Sequence, residues 1–117
     1  MKQDIIFHIA PERRWQEAQQ GGFYEPESLE ERGYIPCSAG SQLQPFINNV
    51  FEGERKMMLI VIDCSTLQPK VQFRKTDLFD EEIPCIEGAL NLDAVLDRIK
   101  LRPNPEGHFE LNFKSDG

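Results

Sequence analysis

The sequence predicts a single α+β domain with a mixed sheet, and three observations carry that prediction. Residues 57–62 read Met-Met-Leu-Ile-Val-Ile, a short run that is apolar on both faces and so belongs at the centre of a sheet. Leu43, Phe46, Ile47, Val50 and Phe51 fall at i, i+3, i+4, i+7 and i+8, the single apolar stripe of a helix packed on that sheet. The 117 residues contain no repeat, low-complexity tract or linker, and their number is close to the commonest size of one domain.

The elements follow in order. Residues 5–9 read as a first strand, broken at Ala10-Pro11. Pro11 suits the first turn of a helix, where a missing N–H is no loss. That helix runs through Trp15 and Ala18 to the Gly21-Gly22 stop. Residues 23–32 are polar and acidic apart from Leu29 and read as a loop with room for one helical turn. Residues 33–38 read as a short strand ending at a turn, which Pro36 makes irregular or places at an edge. Ser41 with Gln44 fits a capping box for the striped helix, with Ser38 as the alternative cap because Pro45 sits poorly behind Ser41.

Residues 71–75 alternate weakly as a half-exposed strand, residues 76–82 form an acidic loop, and residues 83–87 form another short strand. Asn91 can cap a brief helix over residues 92–94. Residues 95–101 carry both helical and strand spacing. The turn Pro103-Asn104-Pro105-Glu106-Gly107, followed by the alternation Phe109, Leu111, Phe113, favours a hairpin and hence a strand.

Composition excludes several classes. Thirteen Lys and Arg against twenty acids leave a net charge of −7, and no basic run exceeds two residues. Binding to nucleic acid or to an anionic membrane surface needs clustered cations, so neither partner is expected. The start of the chain lacks the long apolar stretch of a secretory signal, and no segment approaches a transmembrane span, so a cytoplasmic location is expected. Cys37, Cys64 and Cys85 are odd in number and match no zinc or redox spacing. Three reduced thiols, no disulfide and no metal site are expected.

No catalytic signature stands out. His108 alternates onto a polar strand face and reads as solvated. His8 lies inside an apolar strand just before a helix start, so its ring needs a polar partner, from the backbone or in a ligand site. Ser38 reads as a helix cap or as a hydroxyl offered to a ligand, and not as a nucleophile, since no base is near it in sequence.

A further signal lies in the order of short motifs. Phe7-His8-Ile9-Ala10, Trp15, Tyr24, Ser28-Leu29, the stretch Gly33-Tyr34-Ile35-Pro36-Cys37-Ser38 and Gln42 are followed by Ile83-Pro84-Cys85-Ile86-Glu87-Gly88 and Leu92-Asp93-Ala94-Val95. This succession resembles, over nearly the whole chain, the bacterial family called domain of unknown function 952 (DUF952). The resemblance implies an ADP-ribosyltransferase-like fold: a twisted, split, mostly antiparallel sheet with flanking helices and a cleft for NAD, ADP-ribose or a related nucleotide. It implies that His8, Ser38 and Gln42 line that cleft, with Cys85 and Glu87 at its far wall. The chain departs from the family pattern at four positions. Pro36 and Cys85 stand where the family carries histidines, Glu87 where it carries a tyrosine, and Arg74 where it often carries an acid.

Three functions are therefore in play. One is a nucleotide- or small-ligand-binding domain that keeps the cleft without the full catalytic set. Another is an active transferase or hydrolase on NAD, ADP-ribose or a related nucleotide, with Glu87 as substitute acid. The third is a protein-interaction module without a ligand.

Overall fold

A computed structural model describes residues 5–50 and 55–109 of the chain. In order they form β1 (Ile5–Pro11), α1 (Glu12–Glu17), β2 (Gln19–Gln20), β3 (Phe23–Tyr24), α2 (Glu27–Arg32) and β4 (Ile35–Pro36). A 3-10 turn at Gly40–Gln42 leads into α3 (Leu43–Val50), followed by β5 (Met57–Asp63), β6 (Val71–Arg74), β7 (Ile83–Ile86) and β8 (Leu90–Asn91). A second 3-10 turn at Leu92–Ala94 precedes β9 (Val95–Leu101). The result is one compact α+β domain built on three small sheets, ordered β1-β5-β9, β2-β3-β8 and β4-β7-β6. Among the described residues every strand pairing is antiparallel, so the expected mixed sheet is corrected to three antiparallel ones.

The apolar run of β5 does sit at the centre of its sheet, and its two faces serve two cores. Met57 and Leu59 pack with Leu43, Phe46 and Ile47 of α3, with Ile9 and with Phe79. Met58, Ile60 and Ile62 pack on the opposite face with Ile6, Ala10, Trp15 and Tyr24. Successive strand residues point to opposite faces, so a strand covered on both sides must be apolar at every position. That is why β5 shows no alternation. The stripe of α3 is buried at Leu43, Phe46 and Ile47; positions 50 and 51 fall outside the described side chains.

Two of the small sheets meet at one point. The chain leaving β4 crosses to the free edge of β1, where Ser38 N–H donates to the Phe7 carbonyl at 2.7 Å and Phe7 N–H to the Ser38 carbonyl at 2.9 Å. One residue earlier, Cys37 N–H donates to the Pro84 carbonyl. The Cys37-Ser38 dipeptide is thus held by β1 on one side and β7 on the other.

Several local expectations change. Gly21 and Gly22 have φ of 61° and 85° and form the turn of the β2–β3 hairpin rather than a helix stop. Two successive left-handed residues suit a two-residue hairpin loop, where glycine carries no steric cost. Helix α1 ends earlier, capped at Ala18, and the expected loop over residues 23–32 holds β3 and α2. Pro11 precedes α1 as its cap residue instead of forming its first turn. Neither Ser41 nor Ser38 caps α3. The Gln42 side-chain oxygen instead accepts the Ala39 N–H at 3.1 Å. Residues 95–101 are a strand, but its partner here is β5; the expected final strand over residues 108–113 falls outside the described residues from position 110 onward.

Candidate functional site

His8 occupies the middle of β1, on the face it shares with Ile6 and Ala10. That face looks toward Trp15 and Tyr24, so the ring enters a core with almost no access to water. Two partners meet it there. Nδ1 lies 2.9 Å from the Pro36 carbonyl oxygen, and Nε2 lies 2.8 Å from the Tyr24 hydroxyl. A carbonyl can only accept, so Nδ1 carries the hydrogen and Nε2 receives the Tyr24 O–H.

Burial without a charged partner disfavours the imidazolium. It lowers the His8 pKa to about 4 against the opposing pull of the Pro36 carbonyl, and the ring is neutral at neutral pH. The same burial pushes the Tyr24 hydroxyl up, with Arg14 opposing, and so keeps it a donor. Trp15 packs against Tyr24, their ring centroids 4.6 Å apart, and helps to hold the phenol in position.

Over this pair opens a cleft of about 730 Å³. The buried residues His8, Ala10 and Tyr24 form its base, and Pro36 and Leu78 also line it. Helix α1 contributes Arg13, Arg14 and Glu17 to the rim, and the stretch leading into and along α2 contributes Glu25, Glu27 and Glu31. Arg14 is ion-paired with Glu27, and Arg13 lies 3.7 Å from Glu17.

Of the five residues expected at the site, only His8 lines this cleft. Ser38 is fully buried, and its hydroxyl donates to the Ala39 carbonyl at 2.8 Å. Its backbone pairs with Phe7, the neighbour of His8 that points to the opposite face of β1. Gln42 spends its amide on the start of α3 and on the acidic loop, donating to the Glu81 carboxylate and the Glu82 carbonyl. Cys85 is buried in the α3-side core, where its thiol donates to the Ile83 carbonyl and burial pushes its pKa up to about 11. Glu87 is ion-paired with Arg74, whose guanidinium stands 5.7 Å from the centre of the Tyr34 ring. Among the described residues no group of three or more His, Cys, Asp or Glu side chains is placed to hold a metal ion. Cys37 and Cys85 are buried thiols and Cys64 is partly exposed, and among the described residues no helix is long and apolar enough to cross a membrane.

The residues that sequence reasoning missed are Tyr24 and the charged rim. Tyr24 is reached only through the hairpin turn at Gly21-Gly22, which brings β3 back beside β2. Reading the Gly-Gly pair as a hairpin signal would have placed it. Most of the rim acids lie in the stretch that reads as a polar loop.

A small α+β domain with a neutral histidine–tyrosine pair beneath an open cleft is the class that fold and site define. The chain belongs to the family described as protein of unknown function (DUF952), whose profile matches residues 9–98. Among solved structures it is similar to the crystal structure of protein CC0527 from Caulobacter crescentus, with a TM-score of 0.75 and 20% identity over 91% of this chain and 93% of that one. The solution NMR structure of the same protein gives a TM-score of 0.72 and 21% identity over 90% of each chain. At that identity the likeness shows the fold alone. No curated protein matches.

Proposed function

We propose that the protein is a small-ligand-binding domain with an ADP-ribosyltransferase-like cleft, one that holds NAD, ADP-ribose or a related molecule without turning it over. The observation that carries this reading is the state of His8. It lies at the base of a cleft whose volume of about 730 Å³ suits a small organic ligand. General acid–base catalysis needs a group that titrates near the working pH. His8 has been moved to about 4, with Nδ1 committed to Pro36 and Nε2 to Tyr24. Such a ring can help shape a pocket and is poorly suited to shuttle protons.

The four departures from the family pattern support the same reading. Pro36 and Cys85 are register partners across β4 and β7, and Arg74 and Glu87 are partners in one ion pair. The changes therefore fall in two contacting pairs, and neither pair retains a histidine. Glu87, the substitute acid an active transferase or hydrolase would need, is held by Arg74 and does not line the cleft.

A thermal-shift screen of the purified chain against NAD, ADP-ribose, nucleosides and small amines tests the proposal. A ligand at a hundred times its dissociation constant stabilises by about 2.7 kcal/mol, which moves the melting point by roughly 10 °C in a domain of this size. A shift that His8→Ala abolishes, without product formation, is the expected result. A flat screen would return the protein to the class of interaction modules, and robust NAD hydrolysis or ADP-ribosyl transfer would make it an enzyme.

A further inference from the structure

One ion pair joins the two helices that flank the cleft. Arg14 stands on α1 and Glu27 is the first residue of α2; both line the cavity, and their side chains meet. Arg13 differs, because its partner Glu17 lies one turn further along the same helix. The frame around the Arg14–Glu27 pair is held by main chain. The Arg14 carbonyl accepts the Ala18 N–H at 3.0 Å, and the Ala18 carbonyl accepts the Glu25 N–H at 2.9 Å. The two side chains are 62% and 68% exposed, so their pairing adds little to the fold and can be exchanged while the frame stays. Burial raises the pKa of the Tyr24 hydroxyl and the Arg14 charge opposes it, which puts the guanidinium within electrostatic reach of the base. At that base the His8 Nδ1–H and the Tyr24 O–H are both spent inside the protein. The Ser28 hydroxyl, next to Glu27, is not: it is half-buried, lines the same cavity and makes no hydrogen bond among the described residues.

We propose that Arg14 is the phosphate-binding residue of this cleft and that Glu27 occupies it until a ligand arrives. A phosphate or pyrophosphate group displaces the Glu27 carboxylate from the guanidinium and takes the Ser28 hydroxyl as a second donor. The proposal rests on the ligand-binding reading and names the residues that select the pyrophosphate of such a ligand. A guanidinium presents its N–H groups as a planar fork that fits carboxylate and phosphate oxygens alike, so the exchange replaces one charge-assisted contact with another. With the base donors spent, an anion has its donors only on the walls, at Arg14 and Ser28. Glu27 opposes the ligand twice, by holding Arg14 and by leaving its own charge in the cleft. The cavity is lined by four carboxylates against two guanidinium groups, so that charge finds no spare cation to absorb it. The contact is therefore inhibitory, and removing the Glu27 charge strengthens anion binding where removing Arg14 weakens it. A ligand without phosphate is indifferent to both.

The test is calorimetric titration of the full chain with ADP-ribose, with inorganic pyrophosphate as the anionic group alone and adenosine as the phosphate-free control. Arg14→Gln is expected to weaken ADP-ribose and pyrophosphate about tenfold, the scale of one charge-assisted contact. Glu27→Gln is expected to tighten both about threefold, the scale of an exposed pair. Ser28→Ala is expected to weaken both by a smaller factor, and adenosine affinity is expected to stay the same in all three variants. Arg14 and Glu27 are exposed, so the melting temperature serves as the control for folding. The opposite signs exclude a merely structural pair, whose two halves would act in the same direction. ADP-ribose affinity unchanged by Arg14→Gln, or weakened by Glu27→Gln, would overturn the proposal; affinity unchanged by Ser28→Ala would strike the hydroxyl from the site. ADP-ribose binding no tighter than adenosine would overturn it too and leave the ligand-binding reading standing. If no probe binds any variant, Glu27→Gln included, the proposal falls, and the thermal-shift screen decides separately whether the broader reading falls with it.

Discussion

The Tyr24 hydroxyl stands 2.8 Å from Nε2 of His8 and occupies the last polar position on a ring whose other nitrogen is held by the Pro36 carbonyl. The two residues come from different sheets, so this one contact ties the β2–β3–β8 sheet to β1 through a polar bond inside an apolar core. Removing either partner leaves the other buried and unsatisfied.

The pair predicts a pH dependence with a definite sign. His8 binds its proton at about 4 in the folded chain and near 6.5 in the unfolded one. The unfolded state therefore takes up the proton first as pH falls. Its contribution is fully present above about 6.5, is lost progressively down to about 4 and is then flat, with a total near 3 kcal/mol. Urea unfolding between pH 7.5 and 4, compared with His8→Gln, reads this directly. Parallel curves for the two proteins would show that the ring is not buried neutral.

Tyr24→Phe keeps the aromatic packing against Trp15 and deletes only the hydroxyl. It leaves Nε2 an orphaned buried acceptor, which costs about 1–3 kcal/mol. Denaturant midpoints at pH 7.5 measure the loss. A change within a few tenths of a kcal/mol would mean that water replaces the phenol there.

Phe46 and Ile47 are buried at 2% and 0% exposure between α3 and β5, and Phe46 meets Phe79 edge-on at 5.4 Å between ring centres. Replacing either with alanine should cost about 2–5 kcal/mol by lost burial and residual cavity. A loss below about half a kcal/mol would take that stripe out of the core.

The thiols should divide by reactivity. Cys37 and Cys85 are buried and pushed up in pKa, Cys85 to about 11, whereas Cys64 is partly exposed. Only the thiolate reacts, so alkylation of the native protein at pH 8 should modify Cys64 first and the other two at the rate of unfolding. Denaturation without reductant should release three free thiols, and a count of one would reveal a bridge.

How much of this was legible in the sequence depended on the length of each element. Residues 57–62 and the stripe beginning at Leu43 span enough positions for periodicity to speak, and both lie where that periodicity puts them. Strands of two residues, such as Gln19–Gln20 and Phe23–Tyr24, are shorter than any repeat and have only their turn glycines to announce them. At the site, His8 was legible because a polar ring in an apolar strand demands explanation. Its partners were not. Tyr24 is brought to it by a tight turn, and Pro36 contributes a backbone oxygen, an atom common to every residue type. Ser38 and Gln42 are polar groups whose bonds are made inside the protein: the Ser38 hydroxyl with Ala39, and the Gln42 amide with Ala39 and the acidic loop at Glu81 and Glu82.

That backbone oxygen bears on how the sequence can change over time. The group orienting His8 at position 36 belongs to the main chain, so a substitution there alters the side chain and leaves the acceptor in place. A lineage can exchange a titratable residue at position 36 for proline and still inherit the same ring orientation one strand away. Position 24 has no such freedom, because its half of the contact is a side-chain hydroxyl. Drift should therefore run freely at 36 and be checked at 24, although the two residues grip the same imidazole.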